Sequence, residues 1–199
     1  MARPRWNHSI EYFPFVLRVV SEKARRNALD VGSGDGVLAA HLAALVPSVT
    51  GLDLDQAQVD AATTDYGPVP GLTFLQGDLR DTTPPGAPFD AVVSSSTIHH
   101  LELEVALRRL AELTASGGTL VVVGLAVDTS LWDHIVSAAS ILPNRIMRAR
   151  HGWYDHGAPM DDPRDSWATV RDVAEQLLPG VEYRRRRLYW RYTLVWNKP

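Results

Sequence analysis

The sequence predicts an α/β domain built on a doubly wound, mostly parallel sheet that ends in an antiparallel strand hairpin. Three observations carry this prediction. From residue 28 to 127, short apolar runs alternate with segments of helical periodicity. Those runs are apolar throughout, as suits strands covered on both faces. The last segment, VEYRRRRLYWRYTLVWNKP, holds two β-rich runs too close together for the crossover of a dozen residues that a parallel pair needs.

The elements follow in order. Residues 1–27 read as an N-terminal helical lid. FPFVLRVV (13–20) is apolar, but Pro14 and Arg18 interrupt it. It shows neither the cleavage signal of a leader nor the roughly 18 apolar residues of a membrane span. ALDV (28–31) is a strand, and GVLAAHLAALV (36–46) sets Val37, Leu38, His41, Leu42 and Leu45 at helical spacing. SVTGLDL (48–54) is a strand, and DQAQVDAATTDY (55–66) is a helix capped by Asp55. Gly67, Pro68, Pro70 and Gly71 break the chain before LTFLQGD (72–78). After a Pro-rich loop come the strand FDAVVSS (89–95) and the helix ELEVALRRLAELTA (102–115). SGG at 116–118 ends that helix, and TLVVVGLAV (119–127) is the next strand.

Beyond residue 127 the pattern changes. LWDHIVSAASILPNRIMRAR (131–150) reads as a helix with Leu131, Ile135, Ala138, Ile141 and Leu142 on one side and a kink at Pro143. Residues 151–166 are aperiodic, and WATVRDVAEQLL (167–178) is helical again. The stretch 128–165 reads as an insertion for substrate, since long irregular segments in compact domains tend to be lids or binding loops.

Composition narrows the function. A chain of 199 residues suits one domain with a full core. A net charge of −3 gives no bulk attraction to nucleic acid or to an anionic membrane. The chain has no cysteine, which excludes disulfides, thiolate metal sites and cysteine nucleophiles. The expectation is a cytoplasmic protein with a small-molecule substrate and no nucleic-acid or membrane partner. The run RRRR (184–187) alternates faces in a strand and reads as protection of a sheet edge. Histidines and acids at 151–162 match no ordered metal-ligand spacing, so no metal is expected.

The chemistry begins at ALDVGSGDGVLAAHL (28–42). Gly32, Gly34 and Gly36 let the backbone approach a ligand, and the following helix turns its positive end toward the loop. That suits either a pyrophosphate or a carboxylate. A dinucleotide fingerprint wants glycine or alanine at the sixth position, which is Val37. Asp53 ends the second strand about 20 residues on, where an acid can accept from ribose hydroxyls. Asp78 ends the third strand, where a carboxylate beside a backbone N–H can read an adenine edge. SSSTIHHL leaves small polar residues at the end of the fourth strand.

In these residues the segment 28–127 resembles the core of the class I S-adenosylmethionine-dependent methyltransferases, a Rossmann-like fold. LDVGSGDG is similar to that family's first motif, GLDLD to its second, QGDL to its third and FDAVVSSSTIHHL to its fourth. RYTLVWNKP resembles the antiparallel last strand that separates this fold from dehydrogenases. The resemblance implies that Asp30, Gly32 and Gly34 surround the methionine moiety of S-adenosylmethionine. It implies Asp53 on the ribose hydroxyls, Leu54 against the adenine, Asp78 and the Leu79 backbone on the adenine edge, and Ser94 or Ser95 beside the sulfonium.

Methyl transfer from a sulfonium asks the protein chiefly for alignment and exclusion of water, and for a base only when the acceptor must lose a proton. His99, after the fourth strand, is the candidate base, with His100 beside it. Tyr12, with His8 in the lid, and His151, Trp153, Tyr154 and His156, with Met160 in the insertion, are candidates for the acceptor wall. Two other readings stand beside this one: a nicotinamide-type oxidoreductase, and a non-catalytic cofactor-binding protein of the same fold.

Overall fold

The computed structural model describes residues 7–152, 154, 162–186 and 190–199. Seven strands form one sheet in the order β3-β2-β1-β4-β5-β7-β6. They are β1 (Asn27–Val31), β2 (Ser48–Asp53), β3 (Leu72–Gln76), β4 (Phe89–Ser95), β5 (Thr114–Gly124), β6 (Glu182–Arg185) and β7 (Tyr192–Asn197). The first five run parallel, and β7 pairs antiparallel with both β5 and β6. The doubly wound sheet and its closing hairpin are therefore as the sequence predicts.

Helices cover both faces because the central strands are apolar on both. On one face α4 (Leu103–Leu113) and α7 (Trp167–Leu177) bring Leu107, Leu110, Val170 and Ala174 onto Leu29, Val92, Leu120 and Val122. On the other, α1 (Phe13–Ser21) and α2 (Val37–Ala43) bring Val16, Val20, Leu38 and Leu42 onto Ala28, Ala91, Val93 and Val121. Neighbouring residues of one strand thus feed two separate cores, as period-two alternation requires. The helix α3 (Gln56–Tyr66) begins at Asp55, whose carboxylate accepts from Ala57 N at 2.9 Å. Pro14 falls in the first turn of α1, where a missing N–H costs nothing.

Two expectations need correction. The segment 131–150 is not one helix kinked at Pro143. It is α5 (Leu131–Ala138) and α6 (Ile141–His151), parted at residues 139–140, with Pro143 in the first turn of α6. Moreover, Leu131, Trp132, Ile135, Ile141 and Leu142 are exposed, whereas Asp133, Ser137 and Ser140 are buried. The arginine run is also more than edge protection. β6 is indeed an edge strand, and Arg184 is exposed beside Glu182. Arg185 turns inward, pairs with Asp133 and Asp128 and lies 4.2 Å from the Trp167 ring centroid. Arg186 donates to Thr193 Oγ1 at 3.0 Å and stacks on Phe15.

No helix among the described residues is long and apolar enough to cross a membrane.

Candidate active site

The chain reverses direction across the sheet between β1 and β4, and open α/β sheets bind ligands outside the carboxyl ends of the strands at such a point. A cavity of about 1030 Å³ opens there. Its walls come from the glycine loop, the ends of β2 to β5, the N-terminal turn and the residues just before β7.

The loop is shaped by its glycines. Gly32 has φ +71°, and a Cβ on it would run into the Thr97 side chain at 2.0 Å. Gly34 has φ +52°, and a Cβ there would meet only Gln58 Oε1 at 3.8 Å. Its N–H donates to Asp53 Oδ2 at 2.7 Å, while Asp53 Oδ1 accepts from Asp55 N at 3.0 Å. Gly32 N and Ser33 N both donate to Leu52 O, at 2.8 and 3.1 Å. The N–H groups of Gly32, Ser33, Gly34 and Gly36, which donates to Ser33 O at 3.0 Å, are thus spent inside the protein rather than aimed at a ligand.

Asp30 fills the space behind the loop. It is 1% exposed and lines the cavity, and its Oδ2 has no hydrogen-bond partner among the described residues. Burial, with the nearby Asp53 and Asp35 carboxylates adding repulsion, pushes its pKa up to about 8 against a hydrogen bond from the Ala39 backbone. Such an acid waits for a cation.

The other residues expected at the cofactor distribute as follows. Leu54 is 63% exposed at the cavity mouth. Asp78 lines the cavity, but Arg80 grips its carboxylate by Nε at 2.9 Å, by backbone N at 2.9 Å and by an ion pair. Those hydrogen bonds hold the Asp78 carboxyl below the ordinary carboxylate range. Leu79 also lines the cavity, its side chain turned into the core. Ser95 lines it with a buried Oγ that lacks a partner among the described residues. Ser94 does not. Its hydroxyl donates to Val31 O at 3.1 Å, between β4 and β1, because alternation along β4 turns it inward.

At the acceptor end, His99 and His100 line the cavity with ring centroids 4.0 Å apart. Tyr154 lines it and donates its hydroxyl to the Asp35 carboxylate at 2.5 Å, tying the insertion to the glycine loop. His8 lines it too, with Nε2 donating to Asn144 Oδ1 at 2.8 Å and its ring near Trp190. Tyr12 and His151 are outside the lining, Tyr12 packed into the α1–α2 core instead. Trp153, His156 and Met160 lie outside the described residues.

Other cavity residues escaped the sequence reading. Asn7, Ser9, Leu125, Ala126 and Arg191 all line it, as does Ser96 of the small polar stretch after β4. Asn7 carried a signal, a polar residue ahead of a helical run: its Oδ1 accepts from Ser9 N and Ile10 N at 3.0 and 2.9 Å. Arg191 carried none. It reaches the cavity because Tyr192 pairs with Gly124, which sets residue 191 beside the carboxyl end of β5.

Comparison with known proteins agrees with this geometry. Residues 29–122 match the methyltransferase domain family model. An uncharacterized methyltransferase of Mycobacterium tuberculosis is 36% identical over 199 residues, covering 98% of each chain. A ubiquinone biosynthesis O-methyltransferase of Alkalilimnicola ehrlichii is 26% identical over 79% of this chain and 64% of that protein. The N-methyltransferase NodS of Bradyrhizobium japonicum, solved with S-adenosyl-L-homocysteine, superposes with TM-score 0.65 at 16% identity, over 96% of this chain and 87% of that one. Its likeness is one of fold. With a full-length relative above one third identity and the seven-stranded sheet of these enzymes, the chain belongs to the class I S-adenosylmethionine-dependent methyltransferase family.

Proposed function

We propose that the protein transfers the methyl group of S-adenosylmethionine to a small-molecule acceptor in the cytoplasm. The observation that carries the reading is the pairing of a buried acid, its Oδ2 unsatisfied among the described residues, with a loop whose Gly32, Ser33, Gly34 and Gly36 N–H groups are already spent. A pyrophosphate finds those N–H groups engaged and would only hold Asp30 in its neutral form, whereas a cation draws that acid to ionise. A ligand with an ammonium and a sulfonium gains from the same acid. This favours the methyl donor over a nicotinamide dinucleotide.

The cofactor supplies an activated methyl carbon. The chain's own residues hold, orient and dry it. Asp30, neutral without ligand and drawn to ionise by the ammonium, accepts from it together with the backbone around Gly32 and Gly34. Asp53, kept in one rotamer by Gly34 N and Asp55 N, presents its remaining lone pairs to the ribose hydroxyls. Leu54 covers the adenine at the mouth, and Asp78 shares its carboxylate between Arg80 and the adenine amino group. Ser95, rather than Ser94, offers its hydroxyl near the reacting end. His99 is the imidazole positioned to take a proton from an acceptor that must lose one. The cavity's size accommodates donor and acceptor together, and within one domain Asn7, His8, Ser9, Tyr154 and Pro163 stand over it from the N-terminal segment and the insertion.

Calorimetry with S-adenosylmethionine and S-adenosylhomocysteine tests the donor reading. Wild type is expected to bind both. Asp53→Ala is expected to weaken each at least about tenfold, since two charge-assisted hydrogen bonds to the ribose are lost and Gly34 N loses its acceptor. Equal affinity in both proteins, or no binding by wild type, contradicts it.

A further inference from the structure

The cavity's charges are unevenly placed, with Asp128 and Asp162 the acids that line it outside the β1 to β3 side. Asp30, Asp35, Asp53, Asp55 and Asp78 stand on the side of β1 to β3. On the other side, beyond β4 and β5, Arg191 lines the wall with only 6% of its surface exposed. Burial pushes its pKa down to about 10, so the guanidinium remains charged at neutral pH. Its Nη2 lies 3.5 Å from Ser9 Oγ, and Ser9 Oγ lies 2.8 Å from Ser96 Oγ. Asn7 fixes Ser9 from below by accepting the Ser9 backbone N–H.

Two backbone outliers meet at this wall. Ser96 has φ +59° and Trp190 has φ +54°, and they are the non-glycine residues of positive φ among the described residues. Both line the cavity. Such conformations cost of order 1–3 kcal/mol each and persist where surrounding structure imposes them. Here the Ser96 N–H is held by Val123 O at 2.8 Å, and Arg186 N donates to Arg191 O at 2.8 Å across the hairpin. The first strained turn carries a hydroxyl to the wall, and the second immediately precedes the guanidinium. Asp128 also lines the cavity, but its carboxylate is engaged by Trp167 Nε1 at 2.8 Å and by Arg185. Burial, with Arg191 and Arg148 nearby, lowers the His8 pKa from the usual imidazole value against the hydrogen bond to Asn144, which disfavours a second positive charge at this wall.

We propose that Arg191, with the hydroxyls of Ser9 and Ser96, is a seat for an oxyanion on the acceptor, so that the methylated molecule carries a carboxylate or a phosphate. The proposal rests on the methyl-transfer reading and narrows its substrate class. A planar guanidinium flanked by hydroxyls matches an oxyanion in geometry as well as charge. It also separates the two ligands by sign: the cationic donor end goes to the acids, and the anionic acceptor goes to the arginine.

The test is calorimetry on the full chain saturated with S-adenosylhomocysteine, titrated with benzoate, phenyl phosphate and neutral benzamide. Wild type is expected to bind at least one anion about tenfold or more tightly than benzamide. Comparing benzoate with phenyl phosphate distinguishes carboxylate from phosphate. Arg191→Met is expected to erase the preference while S-adenosylhomocysteine affinity stays within about twofold of wild type. Arg191→Lys keeps the charge and is expected to retain part of the preference. Should Arg191→Met fail to fold, Ser9→Ala removes one hydroxyl and no charge, with an expected loss of about threefold to tenfold in anion affinity. Benzamide binding as well as the anions, anion binding undiminished in the folded variants, or neither anion binding to wild type overturns the seat. A wild type that fails to bind S-adenosylhomocysteine overturns the methyl-transfer reading instead.

Discussion

Burial and the Asp53 carboxylate keep Asp30 largely protonated in the folded protein up to about pH 8, whereas in the unfolded chain it ionises near the ordinary 3.8. Between those values the unfolded chain holds fewer protons at this group than the fold. Its contribution to stability is therefore complete below about pH 4 and is lost as the pH rises through about 8. Asp30→Asn removes the group that titrates. Its ligand-free form is expected to lose less thermal stability than wild type between pH 5 and pH 9, as followed by circular dichroism. Parallel melting-temperature profiles for the two proteins would count against this assignment. The same substitution removes the acid expected to meet an ammonium, so donor affinity should fall while stability at high pH rises. At this scale the sequence was informative where chemistry is local. Asp53 and Asp78 stand at or just beyond strand ends, which periodicity and spacing locate, and Asp30 follows from the resemblance of LDVGSGDG to the family's first motif. It was silent on Arg191 and on the Ser94/Ser95 choice. The first depends on a strand pairing remote in sequence, and the second on a single step of alternation.

The helices α5 and α6 show how an element can be legible in outline and inverted in packing. Helical spacing identifies an apolar side in 131–142, but it does not say that this side faces inward. The buried side of α5 is instead set by Asp133. That carboxylate accepts from Ser130 N and Thr129 N at 2.9 and 3.1 Å and pairs with Arg185. Burial works to raise its pKa, but the hydrogen bonds from Ser130 and Arg185 outweigh it and hold the carboxyl well below the ordinary range. Because the folded pKa is depressed, this stabilisation is present above about pH 4 and lost as the pH falls. Asp133→Ala leaves Arg185 half-buried with a weaker partner and is expected to cost about 2 kcal/mol. Leu131→Lys and Ile135→Lys, at 79% and 54% exposure, are expected to stay within about 0.5 kcal/mol of wild type. Urea unfolding of the three variants measures both. A large loss in the lysine variants, with none in Asp133→Ala, would restore the apolar side as the packed one. The arginine run behaves alike: alternation separates Arg184 from Arg185, but the Asp133 and Trp167 that receive Arg185 lie far away in sequence.

Across the whole molecule, the two cores and the cavity divide the labour of the sheet. The middle strands bury apolar residues on both faces, so the sheet's interior is rigid and independent of ligand. The carboxyl ends of the same strands carry the unsatisfied acid, the strained Ser96 and a cavity of about 1030 Å³, which the fold alone does not repay. The cavity is closed by segments from opposite ends of the chain, through Ser9 with Ser96, Asn144 with His8, and Tyr154 with Asp35. A ligand that bridges these walls should therefore stabilise the molecule globally. For S-adenosylhomocysteine at a hundred times its dissociation constant, binding to the folded state alone adds about 2.7 kcal/mol. In a domain of this size that corresponds to a rise in melting temperature of roughly 5–10 °C. Thermal unfolding with and without the ligand measures it, at a ligand concentration fixed from calorimetry. Asp53→Ala at the same ligand concentration should show about half that rise or less, because tenfold weaker binding leaves about 1.4 kcal/mol of stabilisation. An equal rise in both proteins would mean that the ligand stabilises the fold from somewhere other than this cavity.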